Sequence, residues 1–522
     1  MAFSSAHGTQ SPGVADPTVG FLPALAFWSG ADPDRLFAHI LGVPYTVGAL
    51  DRDSNGLAAG LRDAGIRRGD AVAVMLRNGR AALATLFALA KAGAVWVPLN
   101  VQQKGAGLRY VVEHSAPRAI IVETDLLAVL HDCGAALDGI SIIAHEPGAD
   151  TGLEKLLASG RPFDEPAPAG DQPFAISYTS GTTGPPKGVI VTHAMLRFAG
   201  EATALATKVR DGDVLLVWEP LYHIGGAQTV VLPLIRDVHL ALVERFSASR
   251  LWDQARACGG THVHYLGGIL QILMKQPESA RDRDHPVRVV WGGGCPRDIW
   301  RAFEDRFGVT VHECYGMTEA SSFTTVNHTA TLGSVGRAVP WLSVDVLDAD
   351  GKTVPTGAQG EIVVAAKHPA ALFKGYLNNP EATARALKGG RLFTGDLGSF
   401  DADGNLYFHG RMTDSMRCRG ENVSAWEVER VVANYEAVEE CAVIGVAADI
   451  GEQDIKLFVK PKANATIDPH ELSRWLQSQL ASYQVPRYYV IVDDFERTPS
   501  HRIMKGRLPR DTQNAWDRLA ST

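Results

Sequence analysis

The chain has little cysteine, no long hydrophobic run and no surplus of positive charge, and each shortage removes a class of protein. Its six cysteines, Cys133, Cys258, Cys295, Cys314, Cys418 and Cys441, are scattered and contain no Cys-x-x-Cys pair. That spacing suits reduced thiols and argues against a disulfide framework or a zinc knuckle. The most apolar stretch, residues 81–98, is interrupted by Lys91 and closes on a strand-like Val-Trp-Val-Pro, so it reads as a buried helix and strand and no membrane contact is expected. Residues 1–20 lack both a basic start and an apolar core, so no signal peptide is read there and a cytoplasmic location is the expectation. Lys and Arg number 50 against 58 Asp and Glu, a net charge of −8. A general binder of nucleic acid or anionic membranes is therefore not expected.

What remains is an ordinary globular composition, 46% hydrophobic and 21% charged over 522 residues, long enough for several units of roughly 100–200 residues. From about residue 45 to 340, short β-branched runs (71–76, 95–99, 213–218, 238–243, 263–266 and 287–291) alternate with helical patterns such as 80–91 and 247–258. This alternation predicts α/β structure with parallel sheets. Past Trp341 the texture changes. Asp350-Gly351 and Asp403-Gly404 each sit between apolar runs, a strong hairpin signal, so this part should be a small antiparallel β subdomain. Beyond a charge-dense stretch ending at Gly420 come a helix, two strands, a helix and a strand, the makings of a small α+β domain with its own core. The boundary is placed at about 411–415.

The run Tyr178-Thr179-Ser180-Gly181-Thr182-Thr183-Gly184-Pro185-Pro186-Lys187-Gly188-Val189 lies between two predicted strands. A Walker loop instead joins strand to helix. Three glycines let backbone N–H groups turn inward, the hydroxyls add donors, and Lys187 places a cation at the rim, so the loop can cradle phosphate without net positive charge.

This run closely resembles the phosphate loop of the adenylate-forming superfamily, which contains acyl-CoA ligases, luciferases and peptide-synthetase adenylation domains, and the resemblance extends over nearly the whole chain from about residue 45. It implies ATP (as AMP in the acyl-adenylate), Mg²⁺ and CoA as cofactors, with a carboxylic acid as substrate. It also implies a large N-terminal domain over 21–411 that binds AMP and the acyl group, preceded by a flexible tail over 1–20. A hinge over 412–415 with Asp414 as pivot and a mobile C-terminal domain over 416–522 complete the expected organisation. Thr179, Ser180, Gly181, Thr182, Thr183, Gly184 and Lys187 would meet the phosphates. Gly293, Gly294 and Cys295 would form the adenine turn, where a flat base needs bare backbone. In Tyr315-Gly316-Met317-Thr318-Glu319, Tyr315 would stack on adenine, Thr318 would touch the α-phosphate and Glu319 would hold Mg²⁺ as a hard oxygen ligand. Asp396 would accept from the ribose hydroxyls and Arg411 would reach ribose or phosphate.

His223 sits where the family places an aromatic gate to the acyl site, and Tyr265, Gly267 and Gly268 would wall that site. Glycines 225, 226, 267 and 268 would leave volume there, hinting at a bulky acid. His262 and His264 share one strand face, with no third ligand nearby to make a metal site. The stretch 419–429 resembles the loop that lines the pantetheine tunnel, where Gly420 lets backbone approach the thiol chain. Its wording is most similar to the carnitine and crotonobetaine CoA-ligase branch.

The departure from the family comes in Arg497-Thr498-Pro499-Ser500-His501-Arg502-Ile503-Met504-Lys505. Registered on Arg-Thr, the position of the family's catalytic lysine holds Arg502. A wide planar guanidinium does not substitute for a slim ammonium where placement is demanding. The expectation is a ligase impaired in adenylation but able to join a supplied acyl-adenylate to CoA, with a separate adenylating enzyme as partner. A complete ligase with arginine following the chain's general bias stays open, as does a register that makes Lys505 catalytic. Loading of a carrier protein, a luciferase-like oxygenase, a non-catalytic adenylate-binding protein and a homodimer are left open too.

Overall fold

The computed structural model describes residues 16–520 except 151, 180–185, 267, 413–414, 419–420, 449–452, 481, 483 and 498–502. The chain divides into two compact units. The first holds the residues up to Thr179, Pro186–Val344 and Val364–Leu392; the second holds Asp345–Val363 and the residues from Phe393 onward.

In chain order the first unit carries β1 (Leu36–Ile40), β2 (Val43–Thr46), β3 (Ala71–Met75), β4 (Val95–Pro98), β5 (Ala119–Glu123), β6 (Ser141–His145), β7 (Pro173–Thr179) and β8 (Lys187–Thr192). Then follow β9 (Asp213–Val217), β10 (Val238–Leu242), β11 (His262–Leu266), β12 (Val289–Gly293), β13 (Thr310–Met317), β14 (Ser322–Asn327) and β15 (Arg337–Ala338). One sheet runs β6-β5-β3-β4-β7-β8 and the other β15-β14-β13-β12-β11-β9-β10-β1-β2. Their middles are parallel and the pairs β7–β8, β13–β14 and β1–β2 are antiparallel. Every residue of β4 and β9 is buried, which is why these strands read as unbroken apolar runs: parallel sheets are covered on both faces.

In the larger sheet β10 lies on one side of β9 while β11, β12 and β13 lie on the other. Such a reversal of strand order, here between β9 and β11, marks the end of a doubly wound sheet at which ligands are generally taken. Against this sheet packs the His193–Thr207 helix. Thr192 accepts from Met195 N at its start, and Lys208 ends it in the left-handed region. Its last carbonyls are covered by two buried histidines: His312 Nδ1 meets Ala206 O at 2.6 Å and His262 Nε2 meets Thr207 O at 3.1 Å. The end of the expected tail is packed rather than free: Pro17 is buried, and just beyond it Phe21 stacks on His193.

From Phe393 onward β16 (Arg391–Phe400) belongs to the second unit, where it forms an antiparallel hairpin with β17 (Leu406–Arg411) about Asp403-Gly404, with Gly404 at φ +76°. After it come β18 (Ser415–Cys418), β19 (Glu421–Ser424), the Ala425–Val432 helix, β20 (Val438–Ala447), β21 (Gln453–Pro461), the Pro469–Gln479 helix, β22 (Tyr488–Ile491) and β23 (Trp516–Asp517). The last four strands form one sheet in chain order. Its core is Val428, Val432, Leu457, Leu472, Leu476 and Tyr489 with their neighbours. No helix among the described residues is long and apolar enough to cross a membrane.

Candidate active site

The glycine-rich loop joins two paired strands. β7 ends at Thr179, β8 begins at Lys187, and these two residues face each other in register. Ser180, Gly181, Thr182, Thr183 and Gly184 lie outside the described residues, as do Gly267, Asp414, Gly420 and Arg502. The Lys187 ammonium stands 5.1 Å from the centre of the Tyr376 ring. The Tyr376 hydroxyl in turn donates to Glu319 Oε1 at 2.8 Å. The backbone secures this chain: Leu377 N donates to Gly188 O, Ile190 N to Gly375 O and Phe373 N to Glu319 O. Tyr376 thus links the rim of the phosphate loop to the expected metal-binding carboxylate. Sequence reasoning missed it, although an isolated tyrosine in Lys374-Gly375-Tyr376-Leu377 was a visible signal.

Thr318 and Glu319 open a short 3₁₀ turn after β13, with Tyr315 buried at the strand's end. Gly316 is required here, because any Cβ would overlap Ser322 O across a bulge in the β13–β14 pair. Met317 ends the strand half-buried. Among the described residues no cluster of three or more His, Cys, Asp or Glu could hold a metal ion. A single hard carboxylate at Glu319 still fits Mg²⁺, which is usually held by one or two carboxylates together with substrate phosphates and water.

The expected adenine turn leaves β12 at Gly293. Gly294 has φ +108°, and its N–H donates to Glu313 Oε1 at 2.6 Å; Cys295 N donates to Oε2 of the same carboxylate at 3.1 Å. Tyr265 contributes a third donor, its hydroxyl bonding to Glu313. Tyr265 is therefore not placed as an acyl-pocket wall. It points to the other face of β11, fully buried among Leu216, Leu270, Trp300 and Phe303, and anchors the turn through Glu313. Burial pushes the Glu313 carboxyl up to about 7, opposed by these three donors. Three donors converging on one buried acceptor are a positioning device for backbone that must stay open to a flat ligand.

On the opposite face of β11, one residue back, His264 Nδ1 bonds to the Glu219 carboxylate. Glu219 follows β9 and is buried, and Asn78 fixes its backbone by accepting from Leu221 N and donating to Glu219 O. A Cβ at 225 would lie 2.7 Å from the Glu219 carboxylate, and one at 226 would overlap Pro220 O. Glycines 225 and 226 therefore do not leave open volume, as the sequence had hinted; their space is filled by Glu219 and Pro220. Gly268 does face open space, with Gln271 Oε1 at 3.7 Å. His223 begins the short Ile224–Ala227 helix, half-buried, with its ring 4.8 Å from that of Tyr222.

In the second unit Asp396 and Arg411 face each other across the β16–β17 hairpin, with Arg411 Nε 2.8 Å from Asp396 Oδ1. Gly395 takes φ +69° and donates to Glu361 Oε1, while Thr394 Oγ1 donates to Ile362 O, so the turn that presents Asp396 is bonded on both sides. Farther along, Arg497 pairs with Glu440 and bridges to Ile503 by backbone. Lys505 Nζ lies 2.9 Å from Glu429 Oε1, an oxygen that also accepts from Val443 N.

Comparison with known proteins agrees with this geometry. Residues 27–377 match the model of the AMP-binding enzyme family and residues 427–502 that of the AMP-binding enzyme C-terminal domain. The chain is 31% identical over 479 residues to a crotonobetaine/carnitine–CoA ligase of Salmonella paratyphi B, covering 89% of this chain and 93% of that one. Among solved structures it is similar to ATP-bound MatB from Rhodopseudomonas palustris, with 27% identity, a TM-score of 0.81 and coverage of 91% and 95%. The fold is also that of o-succinylbenzoate CoA synthetase from Bacillus subtilis in complex with its acyl-adenylate intermediate, with 24% identity, a TM-score of 0.83 and coverage of 94% and 99%.

Proposed function

The chain belongs to the AMP-binding enzyme family, and on that premise we propose that it is an acyl-CoA ligase, joining a carboxylic acid to CoA through an acyl-adenylate. The observation that carries this reading is the chain Lys187–Tyr376–Glu319 beside the mouth of the β7–β8 hairpin. It sets a cation for phosphate oxygens and a carboxylate for a hard metal at one place. In this reading the loop 179–187 cradles the phosphates, Thr318 donates to the α-phosphate, and Tyr315 with the Gly293–Cys295 turn takes the adenine. Asp396, held by Arg411, takes the ribose hydroxyls. Mg²⁺, held by Glu319, would neutralise charge on the phosphates. The crotonobetaine/carnitine–CoA ligase name of the relatives supports CoA as the acyl acceptor.

The finer reading concerns Arg502. Adenylation needs a cation placed between the attacking carboxylate and the α-phosphate. A fork of different reach at that point lowers the rate of this half-reaction and leaves thiol transfer intact. Lys505, the other candidate, is engaged by Glu429, which supports the register that puts Arg502 at the lysine position. A complete ligase is the second reading, favoured by the excess of arginine over lysine along the chain. Arg502→Lys decides between them. It should raise pyrophosphate release about 100-fold, the scale of a restored transition-state contact, while acyl-CoA formation from a supplied acyl-adenylate stays within about twofold of the unmodified enzyme. Unchanged release with intact transfer would return the chain to the complete-ligase reading. No transfer by either protein, with AMP still bound, would favour an adenylate-binding protein instead.

A further inference from the structure

At the carboxyl ends of β9 and β11 stands a wall of side chains whose polar atoms are buried and incompletely used. Glu219 and His264 are 3% and 4% exposed and bond to each other. The His264 and Trp291 rings stand 4.2 Å apart on neighbouring strands, and Phe323 packs 5.7 Å from Trp291. Beside Phe323, the Ser322 hydroxyl donates to Gln228 Oε1 at 2.6 Å. Three polar atoms along this wall, His264 Nε2, Trp291 Nε1 and Gln228 Nε2, are buried without a hydrogen-bond partner among the described residues. Buried polar groups normally have partners, so a cluster that lacks them calls for one.

We propose that this wall binds a hydroxyl group carried by the acyl chain, so that the acids taken by the site are hydroxy acids. The inference rests on the acyl-CoA ligase reading and names the substrate class for that same site. The chemistry selects the group. With His264 Nδ1 bonded to Glu219, Nε2 is the ring nitrogen left to meet a ligand, whereas Trp291 Nε1 and the Gln228 amide nitrogen present donors. A hydroxyl both donates and accepts, so it can meet the imidazole nitrogen and take a hydrogen bond from the indole or the amide. A second carboxylate would place another negative charge beside Glu219, and an ammonium could not accept from the indole. The flat rings of His264, Trp291 and Phe323 supply apolar surface for the body of the acid around that hydroxyl.

The test is direct binding, by calorimetry, of paired acyl-sulfamoyl adenosines, which mimic the adenylate without reacting. The pairs are 4-hydroxybenzoyl and benzoyl, 4-hydroxycinnamoyl and cinnamoyl, and 3-hydroxyoctanoyl and octanoyl, with succinyl as the dicarboxylate. At least one hydroxylated member should bind about tenfold or more tighter than its partner, as a site built for a hydroxyl rejects the analogue lacking it. His264→Phe should erase that difference and His264→Gln should keep part of it, with free AMP as the control for folding. Equal affinities within every pair, tightest binding by the succinyl compound, or a gap that survives His264→Phe would overturn the proposal while leaving the ligase reading in place. Loss of all nucleotide binding in the unmodified protein would instead bring down the ligase reading, and the inference with it.

Discussion

The phosphate-facing part of the first unit and the Arg497–Lys505 segment of the second are built to different standards of support. In the first, three of the elements expected to touch the nucleotide are backed by a buried or bonded partner: Glu313 holds the Gly294–Cys295 turn, Tyr376 holds Glu319, and Ser322 O fills the space that Gly316 leaves. In the second, the flanks are pinned by Arg497–Glu440 and Lys505–Glu429, and in the register set by Arg497-Thr498 the departures from the family's wording, His501 and Arg502, fall between them. The described residues on either side are tied down by ion pairs while the sequence between them is changed. On the proposed reading of Arg502, the difference is one between a shared nucleotide site that is kept and a single half-reaction that is altered.

That contrast can be broken at its strongest point by Glu313→Leu. Three buried donors would lose their acceptor, a cost of about 2–4 kcal/mol. AMP affinity, measured by calorimetry, should fall roughly 30-fold or more, and Glu313→Gln should recover part of it. If AMP binding holds, the turn does not depend on its buried backing. Next, Lys505→Met strips Glu429 of its cation at a half-buried site and should lower C-terminal stability by about 2 kcal/mol, seen in thermal unfolding. Adenylation should follow the stability loss; a collapse of adenylation with an unchanged melt would make Lys505 catalytic and break the comparison.

A smaller effect comes from the helix support in the first unit. Burial pulls the His262 imidazole down to about 4, so the unfolded chain takes up its proton first as pH falls. The contribution of the neutral ring is whole above the unfolded value near 6.5 and is lost as pH drops toward 4, about 1.5 kcal/mol between pH 6.5 and 5. Melting temperatures across that range should fall less in His262→Gln than in the unmodified protein. Smallest of all, Tyr376→Phe removes one bond to Glu319, worth about 1 kcal/mol, and should weaken binding of Mg²⁺ with ATP about fivefold while binding of AMP alone is unchanged.

Much of this was legible in the sequence because strand periodicity and turn chemistry are local. The parallel strands from Ala71 to Gly293, the hairpin at Asp403-Gly404 and the strand–loop–strand setting of the glycine-rich run follow from residues close together in the chain. What was not legible was set by contacts over long separations. Tyr265 and His264 are neighbours on β11, yet one is turned to Glu313 and the other to Glu219, and only the sheet's neighbours decide which face is which. Glu313 and Glu219 carry no local pattern, since their partners lie 18 to 48 residues away along the chain. The glycines at 225 and 226 looked like empty volume because what fills their space, the Glu219 carboxylate and the Pro220 carbonyl, comes from the turn after β9.

The central claim, a ligase stronger in thiol transfer than in adenylation, is tested most directly by running the two half-reactions of the unmodified protein side by side. One arm holds ATP, Mg²⁺ and a panel of acids with pyrophosphate release as readout; the other holds synthetic acyl-adenylates and CoA with acyl-CoA followed by mass. The account predicts acyl-CoA in the second arm at a rate about 100-fold or more above pyrophosphate release in the first. Equal rates in the two arms would contradict it and make Arg502 an adequate replacement for lysine.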